Sequence, residues 1–303
     1  MLTESQLRNV AARSGARDIT KVEIDVILTY LLALLEERGI TGHLAFKGGT
    51  MLRKMVFGPR GRYSTDLDFT ACTDISRDNL MLMMLDAVAQ PFNGLSFRFD
   101  RDKDWYFTDD GIAANPVCAH AANEKGEIIK IQVSMREQPV LSISPLSQLD
   151  QDYFKLLPFK PGAVPSLTYE EAVAEKIRAA SQRSKIRDLH DLSEIAARPL
   201  NRNLVRALAV IKLWESNGDN LDYGLFSDRI AESGDYDLGE LTNLLRRDQR
   251  PDLDDMMDRV IEGFRFLGNL TDLERALAQD KNRSRGGNLD ALKTEAKKMA
   301  GEG

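Results

Sequence analysis

The first part of the chain carries apolar residues at the spacing of amphipathic helices. This pattern predicts a helix over residues 4–15 and a second over residues 18–39, which ends at Gly39. The most apolar run of the second helix, residues 26–35, has roughly half of the ~20 residues that a membrane span requires. We therefore expect no membrane-spanning segment here.

Shorter apolar segments follow, and their pattern predicts strands. We expect a strand over residues 43–46, a short helix over MLRKMVF (residues 51–57) and a strand over DLDFTA (residues 66–71). After a helix capped by Ser76, the remaining predicted strands cover residues 95–99, 104–108, a stretch ending near residue 121, and residues 127–134. The sequence NEKG before the last of these predicts a hairpin turn.

From Thr168 onward the pattern is almost wholly helical. Just before this change, KPGAVP (residues 160–165) contains two prolines and predicts a linker. We therefore expect an α+β fold of two lobes. Residues 1–160 form a lobe with a mixed or antiparallel sheet, and residues 166–303 form an α-helical lobe.

The composition is that of an ordinary soluble globular protein, with 43% hydrophobic and 29% charged residues. The net charge of −6 argues against a generic polyanion binder, so any contact with nucleic acid needs a local basic patch. Two cysteines are too few for a disulfide scaffold or a zinc site. The N-terminal residues lack the pattern of a secretion signal, and we expect a cytoplasmic protein.

Two short motifs flank the predicted helix at residues 51–57. Before it, Gly48 and Gly49 allow backbone N–H groups to approach phosphate oxygens, and Thr50 adds a hydroxyl. After it, Asp66 and Asp68 project to one face of a strand and offer the oxygens that Mg²⁺ prefers. Either motif alone is more often a turn or a solvated strand end. In this order they predict a site for a nucleoside triphosphate and Mg²⁺.

These motifs also resemble a known family. KGGT (residues 47–50) followed by RYSTDLDF (residues 62–69) resembles the AbiEii/MenT nucleotidyltransferase toxins of the polymerase-β-like superfamily. The resemblance implies a polymerase-β-like nucleotidyltransferase fold for the first lobe. It implies that Asp66 and Asp68 bind the metal and carry catalysis. The nucleotide-binding residues implied in this lobe are Lys47, Gly48, Gly49, Thr50 and Arg62.

The resemblance further implies a toxin of a bacterial toxin–antitoxin or phage-defence system. Such an enzyme transfers a nucleotide from an NTP, with Mg²⁺, to an RNA acceptor. The expected acceptor is the 3′ end of tRNA, whose modification blocks translation. The implied partners are the NTP, the RNA and a cognate antitoxin.

A second motif of the family begins the helical lobe. EKIRAASQRSKIRDLHDL (residues 175–192) supplies the matching residues Lys176, Arg183, Arg187, Asp188 and Asp191. If the helix is continuous, the three basic residues fall on one face and contact phosphates or the acceptor's backbone, although a solvated helix face is the alternative. Lys176 and Asp191 are implied to be catalytic. Asp191 accepts the proton of the attacking hydroxyl or orients Lys176 or Arg187.

One position departs from the superfamily pattern. A third carboxylate is expected on a later strand, and residues 128–137 resemble that strand, but the position falls on Gln132. Glutamine is a poor metal ligand beside aspartate, and Glu137 lies far along the strand. This departure leaves open a nucleotide-binding module with degenerate chemistry. A second alternative, AMP transfer to a protein hydroxyl, would use the same active site.

Overall fold

The computed structural model describes residues 1–99, 104–108, 111–216, 220–232, 234 and 236–302. These residues form two compact units. The sheet unit comprises Met1–Pro139, Ile143–Leu167 and Asn243–Arg250, and the helical unit comprises Val140–Ser142, Thr168–Thr242 and the chain from Pro251 onward. No helix in the described ranges is long and apolar enough to cross a membrane.

The sheet unit begins with two capped helices, α1 (Glu4–Ser14) and α2 (Ile19–Glu37). Thr3 and Gln6 form a capping box at the start of α1, and the side chain of Asp18 caps α2. The apolar run predicted within the second helix is buried inside this unit. Burial of that run explains why it need not lie in a membrane.

A seven-stranded mixed sheet forms the centre of the unit. Its strands are β1 (Leu44–Lys47), β2 (Asp66–Ala71), β4 (Trp105–Thr108), β5 (Gly111–Ala114), β8 (Lys130–Ser134), β9 (Ser144–Ser147) and β10 (Ala163–Ser166). Their order in the sheet is β4-β5-β8-β2-β1-β10-β9, in which the β1–β10 and β2–β8 pairs are parallel and the others are antiparallel. The α+β class and the mixed sheet are as predicted.

Helical segments connect parts of this sheet. Between β1 and β2, helix α3 (Gly48–Met51) continues directly into a π-helical segment (Leu52–Phe57). Helix α4 (Arg77–Ala87) follows β2 and is capped by Ser76, as predicted. The helix after β1 thus begins at Gly48, three residues before the predicted start, so the two glycines and Thr50 lie in its first turn.

Two predictions about the strands around residue 127 are wrong. A three-stranded sheet of order β3-β6-β7 is formed by β3 (Leu95–Arg98), β6 (Val117–His120) and β7 (Asn123–Ile128). The NEKG sequence lies inside β7, and the turn of the hairpin falls earlier, at residues 121–122. The predicted strand over residues 127–134 is divided, because β7 ends at Ile128 and β8 begins in the other sheet at Lys130.

The predicted linker at residues 160–165 is also partly wrong. Residues 163–166 form β10, which pairs with β9 and lies beside β1 through Phe46 and Ser166. Pro165 has no backbone N–H to donate, and the pairing of β10 with β1 beside it is short, at Phe46 and Ser166. The proline-rich composition therefore marks a strand of the central sheet rather than a free connection.

The helical unit contains helices from α5 onward. Their bounds are α5 (Tyr169–Gln182), α6 (Ile186–Ala196), α7 (Arg202–Glu215), α8 (Tyr223–Ala231), α9 (Leu238–Leu244, whose last two residues belong to the sheet unit), α10 (Leu253–Gly263), α11 (Asp272–Ala278) and α12 (Gly286–Met299). Helix α7 packs against α5, α11 and α12, and its apolar residues are buried along most of its length.

Candidate nucleotidyltransferase site

The KGGT turn and the Asp-x-Asp strand lie side by side in the sheet unit. Strand β1 ends at Lys47, and the antiparallel register of β1 and β2 places Lys47 opposite Asp68. Helix α3 begins at the next residue, Gly48. The first turn of this helix, with backbone N–H groups that have no partner within the helix, is therefore adjacent to the Asp68 carboxylate.

Two features require glycine at position 48: its backbone conformation and the closeness of the Asp68 side chain. Its φ is +80°, a conformation that L side chains rarely adopt. A Cβ added to Gly48 would lie 2.9 Å from the Cβ of Asp68 and closer still to its Oδ2 atom. The missing side chain thus leaves room for the Asp68 carboxylate, a use of glycine that the sequence pattern did not indicate.

The next two residues of the turn are also in contact with predicted site residues. A Cβ added to Gly49 would lie 2.5 Å from Nη2 of Arg62, whose buried guanidinium stands directly against the turn. The hydroxyl of Thr50 donates a hydrogen bond of 2.5 Å to the backbone carbonyl of Asp66. Thr50 therefore joins the helix start to the first residue of β2, and Arg62 supplies positive charge beside it.

Asp66 and Asp68 lie on one face of β2. Both are half-buried, whereas Leu67 and Phe69 point to the opposite face and are buried in the core. Two carboxylates two residues apart on a strand fit a hard divalent cation such as Mg²⁺, which completes its octahedron with water and phosphate oxygens. Within the described residues, no group of three or more His, Cys, Asp or Glu side chains is placed to hold a metal ion.

The residues that β8 places beside Asp66 and Asp68 do not include a third carboxylate. The parallel register of β2 and β8 pairs Asp68 with Gln132 and Asp66 with Lys130. Paired residues share a face of the sheet, so Gln132 lies beside Asp68. An amide thus occupies the position where a further carboxylate would join the pair.

A buried ionic cluster joins α2 to the π-helical segment after the turn and was not predicted from the sequence. The carboxylate of Asp25 on α2 accepts hydrogen bonds from Arg53 Nε at 2.9 Å, Lys54 Nζ at 3.2 Å and the Tyr153 hydroxyl at 3.0 Å. Burial alone would raise the pKa of Asp25, but the charges of Arg53 and Lys54 outweigh burial and lower it. The sequence carries one signal of this cluster, since Asp25, Arg53 and Lys54 lie among apolar residues of two predicted helices.

In the helical unit, Lys176 is held by two carboxylates. Its ammonium lies 2.9 Å from Asp188 Oδ1 and 2.7 Å from Asp191 Oδ2, and all three side chains are nearly buried. Arg183 Nε lies 2.9 Å from the other oxygen of Asp188. Burial alone would raise the pKa of Asp188, but Lys176 and Arg183 hold it below its usual value.

The helix over residues 176–187 is not continuous, so the condition for placing the three basic residues on one face is not met. Helix α5 ends at Gln182, Arg183 has an extended backbone, and α6 begins at Ile186. Lys176 and Arg187 therefore lie on different helices, and Arg187 Nε is 3.0 Å from Glu240 Oε1. The break brings Lys176 to the two aspartates of α6 instead of aligning it with both arginines.

The family-model match covers most of the chain. The model of the nucleotidyl transferase AbiEii toxin of type IV toxin–antitoxin systems matches residues 30–279. No significantly similar sequence is found among curated proteins.

Solved structures resemble the chain over nearly its full length. The nucleotidyltransferase toxin MenT4 from Mycobacterium tuberculosis H37Rv is similar with 26% identity and a TM-score of 0.79, covering 97% of this chain and 99% of MenT4. JHP933 from Helicobacter pylori has 18% identity and a TM-score of 0.43, covering 96% and 99% of the two chains. From the extent of the family match and its agreement with the MenT4 fold, this chain belongs to the AbiEii family of nucleotidyltransferase toxins.

Proposed function

We propose that this protein transfers a nucleotide from an NTP to the 3′ end of an RNA acceptor, tRNA being the expected substrate, and thereby blocks translation. The contact between the Asp68 carboxylate and the Gly48 backbone carries this proposal. It brings a carboxylate pair suited to Mg²⁺ together with a helix start suited to phosphates. Membership of a type IV toxin–antitoxin family supports an antitoxin as the partner that neutralises the activity.

In the sheet unit, Asp66 and Asp68 would hold Mg²⁺, and Arg62 places positive charge against the helix start. The metal, when bound, neutralises charge on the phosphate oxygens. The nucleotide-binding residues proposed in this unit are Lys47, Gly48, Gly49, Thr50 and Arg62. In the helical unit, we assign Lys176, Arg183 and Arg187 to phosphate or RNA-backbone contacts.

The reaction itself is a substitution at phosphorus. The oxygen of the acceptor hydroxyl forms a bond to the α-phosphorus of the NTP, and the bond from that phosphorus to the bridging oxygen of the β-phosphate breaks. Pyrophosphate leaves, and the hydroxyl proton passes to solvent. Of the two roles open for Asp191, orientation of Lys176 is favoured by their 2.7 Å ion pair.

Gln132 favours one alternative, a nucleotide-binding module with little chemistry, because it stands beside Asp68 in place of a further carboxylate. A two-metal reaction has less support from two acids than from three. The two functions differ in outcome, since the module binds NTP without forming a covalent product.

One experiment separates these functions. The protein is incubated with each α-³²P-labelled NTP, Mg²⁺ and bulk tRNA, and in parallel with bacterial protein extract, followed by gel separation. We expect label on RNA that disappears with EDTA and in the Asp66→Ala/Asp68→Ala double variant. Label on protein would favour AMP transfer to a hydroxyl. Calorimetric NTP binding without any labelled product would favour the binding module.

A further inference from the structure

One row of side chains crosses the sheet from the KGGT turn to its far edge. Successive registers pair Lys47 with Asp68, Asp68 with Gln132, Gln132 with Ala113, and Ala113 with Tyr106. Paired residues project to the same face. Tyr106 on the edge strand β4 is therefore on the face that carries the two aspartates, although it lies far from them in sequence.

Tyr106 is an exposed aromatic residue on that face. Its side chain is 42% exposed. Three interstrand spacings separate β4 from β2, which corresponds to about 14 Å between the backbones. The side chain of Tyr106 stands on the same face as the two carboxylates, so the metal and α-phosphate at Asp68, followed by the acceptor's sugar and base, can together span this distance to the ring.

The direction of the reaction determines whether the NTP or the terminal nucleotide of the acceptor lies on the side of Tyr106. The KGGT turn lies on the β1 side of Asp68, and Gln132 and Tyr106 lie on the opposite, β8 side. In phosphoryl and nucleotidyl transfer the attacking and leaving oxygens are roughly in line. With pyrophosphate leaving on the side of the KGGT turn, the acceptor hydroxyl approaches from the side of β8, β5 and β4.

We propose that Tyr106 is a stacking platform for the terminal nucleobase of the RNA acceptor, an inference that rests on the proposed function. Every base presents a π-face, so a tyrosine ring binds the end of an RNA without reading its sequence. Lys130 lies on the same face beside Asp66 and provides a positive charge for the acceptor's phosphates. Ala113, between Gln132 and Tyr106, adds only a methyl group to the row.

The strand offers a matched control. Phe107 is the next residue of β4, is 50% exposed, and projects to the other face of the sheet. Phe107→Ala therefore removes a similar aromatic surface from the same strand without touching the proposed acceptor path.

The test is steady-state transfer by the full chain, with bulk tRNA and NTP varied separately. We expect Tyr106→Ala to raise the KM for tRNA about tenfold or more, the effect of losing a base–aromatic stack, with the KM for NTP unchanged. Tyr106→Phe and Phe107→Ala should behave as wild type. Tyr106→Leu, which keeps apolar volume without a ring, should resemble Tyr106→Ala, and thermal melting confirms that each variant is folded.

The outcomes separate this inference from the function on which it rests. If the wild-type protein transfers label to RNA but Tyr106→Ala and Tyr106→Leu keep the wild-type KM for tRNA, the stacking platform is overturned and the proposed function stands. A rise confined to the KM for NTP also overturns it, because the ring then contacts the incoming nucleotide. If the wild-type protein labels no RNA, the proposed function and this inference both fail.

Discussion

The carboxylate of Asp68 fills the space that a side chain on Gly48 would need. An added Cβ would lie 2.9 Å from the Asp68 Cβ and closer to Oδ2, and the φ of +80° already excludes most residues from this position. The start of α3 and the Asp-x-Asp strand thus fit against each other because residue 48 has no side chain. Substitution at either residue should disturb the other.

Gly48→Ala should abolish nucleotide transfer while the protein stays folded. The new methyl must displace the Asp68 side chain, and alanine at a φ of +80° adds strain of about 1–3 kcal/mol. We expect activity to fall at least about 100-fold, since a displacement of roughly 1 Å at a reacting centre costs that much. Transfer to tRNA and urea unfolding measure the two effects separately.

Gly39→Ala is the matched control for Gly48→Ala. Its φ of +74° imposes similar backbone strain, but nothing lies within 4 Å of an added Cβ. It should lose a similar amount of stability and keep its activity. Equal losses of activity in both variants would mean that strain, and not the Asp68 contact, explains the requirement for Gly48.

Asp66→Asn and Asp68→Asn should each abolish transfer with little change in the free energy of unfolding. Both side chains are half-buried and face away from the apolar core, so the amide can replace the carboxylate sterically but binds Mg²⁺ poorly. The measurements are label transfer and thermal melting, with the exposed Asp86→Asn as the control. Transfer at the wild-type rate by both site variants would remove the metal mechanism.

Gln132→Glu should strengthen metal binding. The register places this side chain beside Asp68, so a carboxylate there adds a third negative ligand to the pair. Because ligand charge tunes the affinity of oxygen sites, we expect the Mg²⁺ concentration for half-maximal transfer to fall by about threefold or more. A Mg²⁺ titration measures it, and Gln132→Ala, which adds no charge, should not lower it.

Much of the local structure near the site was predictable from the sequence. The strand Asp66–Ala71 was predicted with its observed bounds, and the cap at Ser76 was recognised by its position before an apolar segment. Such features depend on alternation and capping within a few residues, which a single sequence displays. The KGGT and Asp-x-Asp motifs revealed the family for the same reason.

Features that depend on distant residues were not predictable in this way. The division of residues 127–134 between two sheets depends on which strands they pair with. Strand β10 was not predicted, because its proline and the loops on either side of it are typical of a linker. The contact of Asp25 with Arg53 and Lys54 joins positions that lie 28 and 29 residues apart. Hydrophobic periodicity places each of these charged residues on a helix, but it does not show which of them form ion pairs with one another.

Asp25→Asn should strongly destabilise the sheet unit. It leaves Arg53 and Lys54 buried without their anion, and breaking a buried ion pair in this way costs about 3–5 kcal/mol. Urea unfolding at pH 7, with the exposed Asp86→Asn as control, measures the loss. A loss below about 1 kcal/mol would mean that the cluster contributes little.

The same cluster predicts a dependence of stability on pH. The pKa of Asp25 is lowered on folding, so its contribution is complete above the ordinary carboxyl pKa near 4 and is lost as the pH falls toward the folded pKa. The difference in unfolding free energy between wild type and Asp25→Asn should therefore be constant from about pH 7 to 5 and narrow below about pH 4. A difference that stays constant down to about pH 2.5 would contradict the lowered pKa.

Asp191→Asn should reduce kcat by about 10- to 100-fold, the usual cost of losing a residue that positions another. It should keep the acidic limb of the pH–rate profile, because the role proposed for Asp191 is to hold Lys176, whose ammonium lies 2.7 Å from its Oδ2, and not to accept a proton. Glu274→Gln is the structural control, since Glu274 forms another nearly buried ion pair of the helical unit with Arg206. It should lose comparable stability and keep kcat. Loss of the acidic limb in Asp191→Asn would instead identify Asp191 as the general base of the transfer reaction.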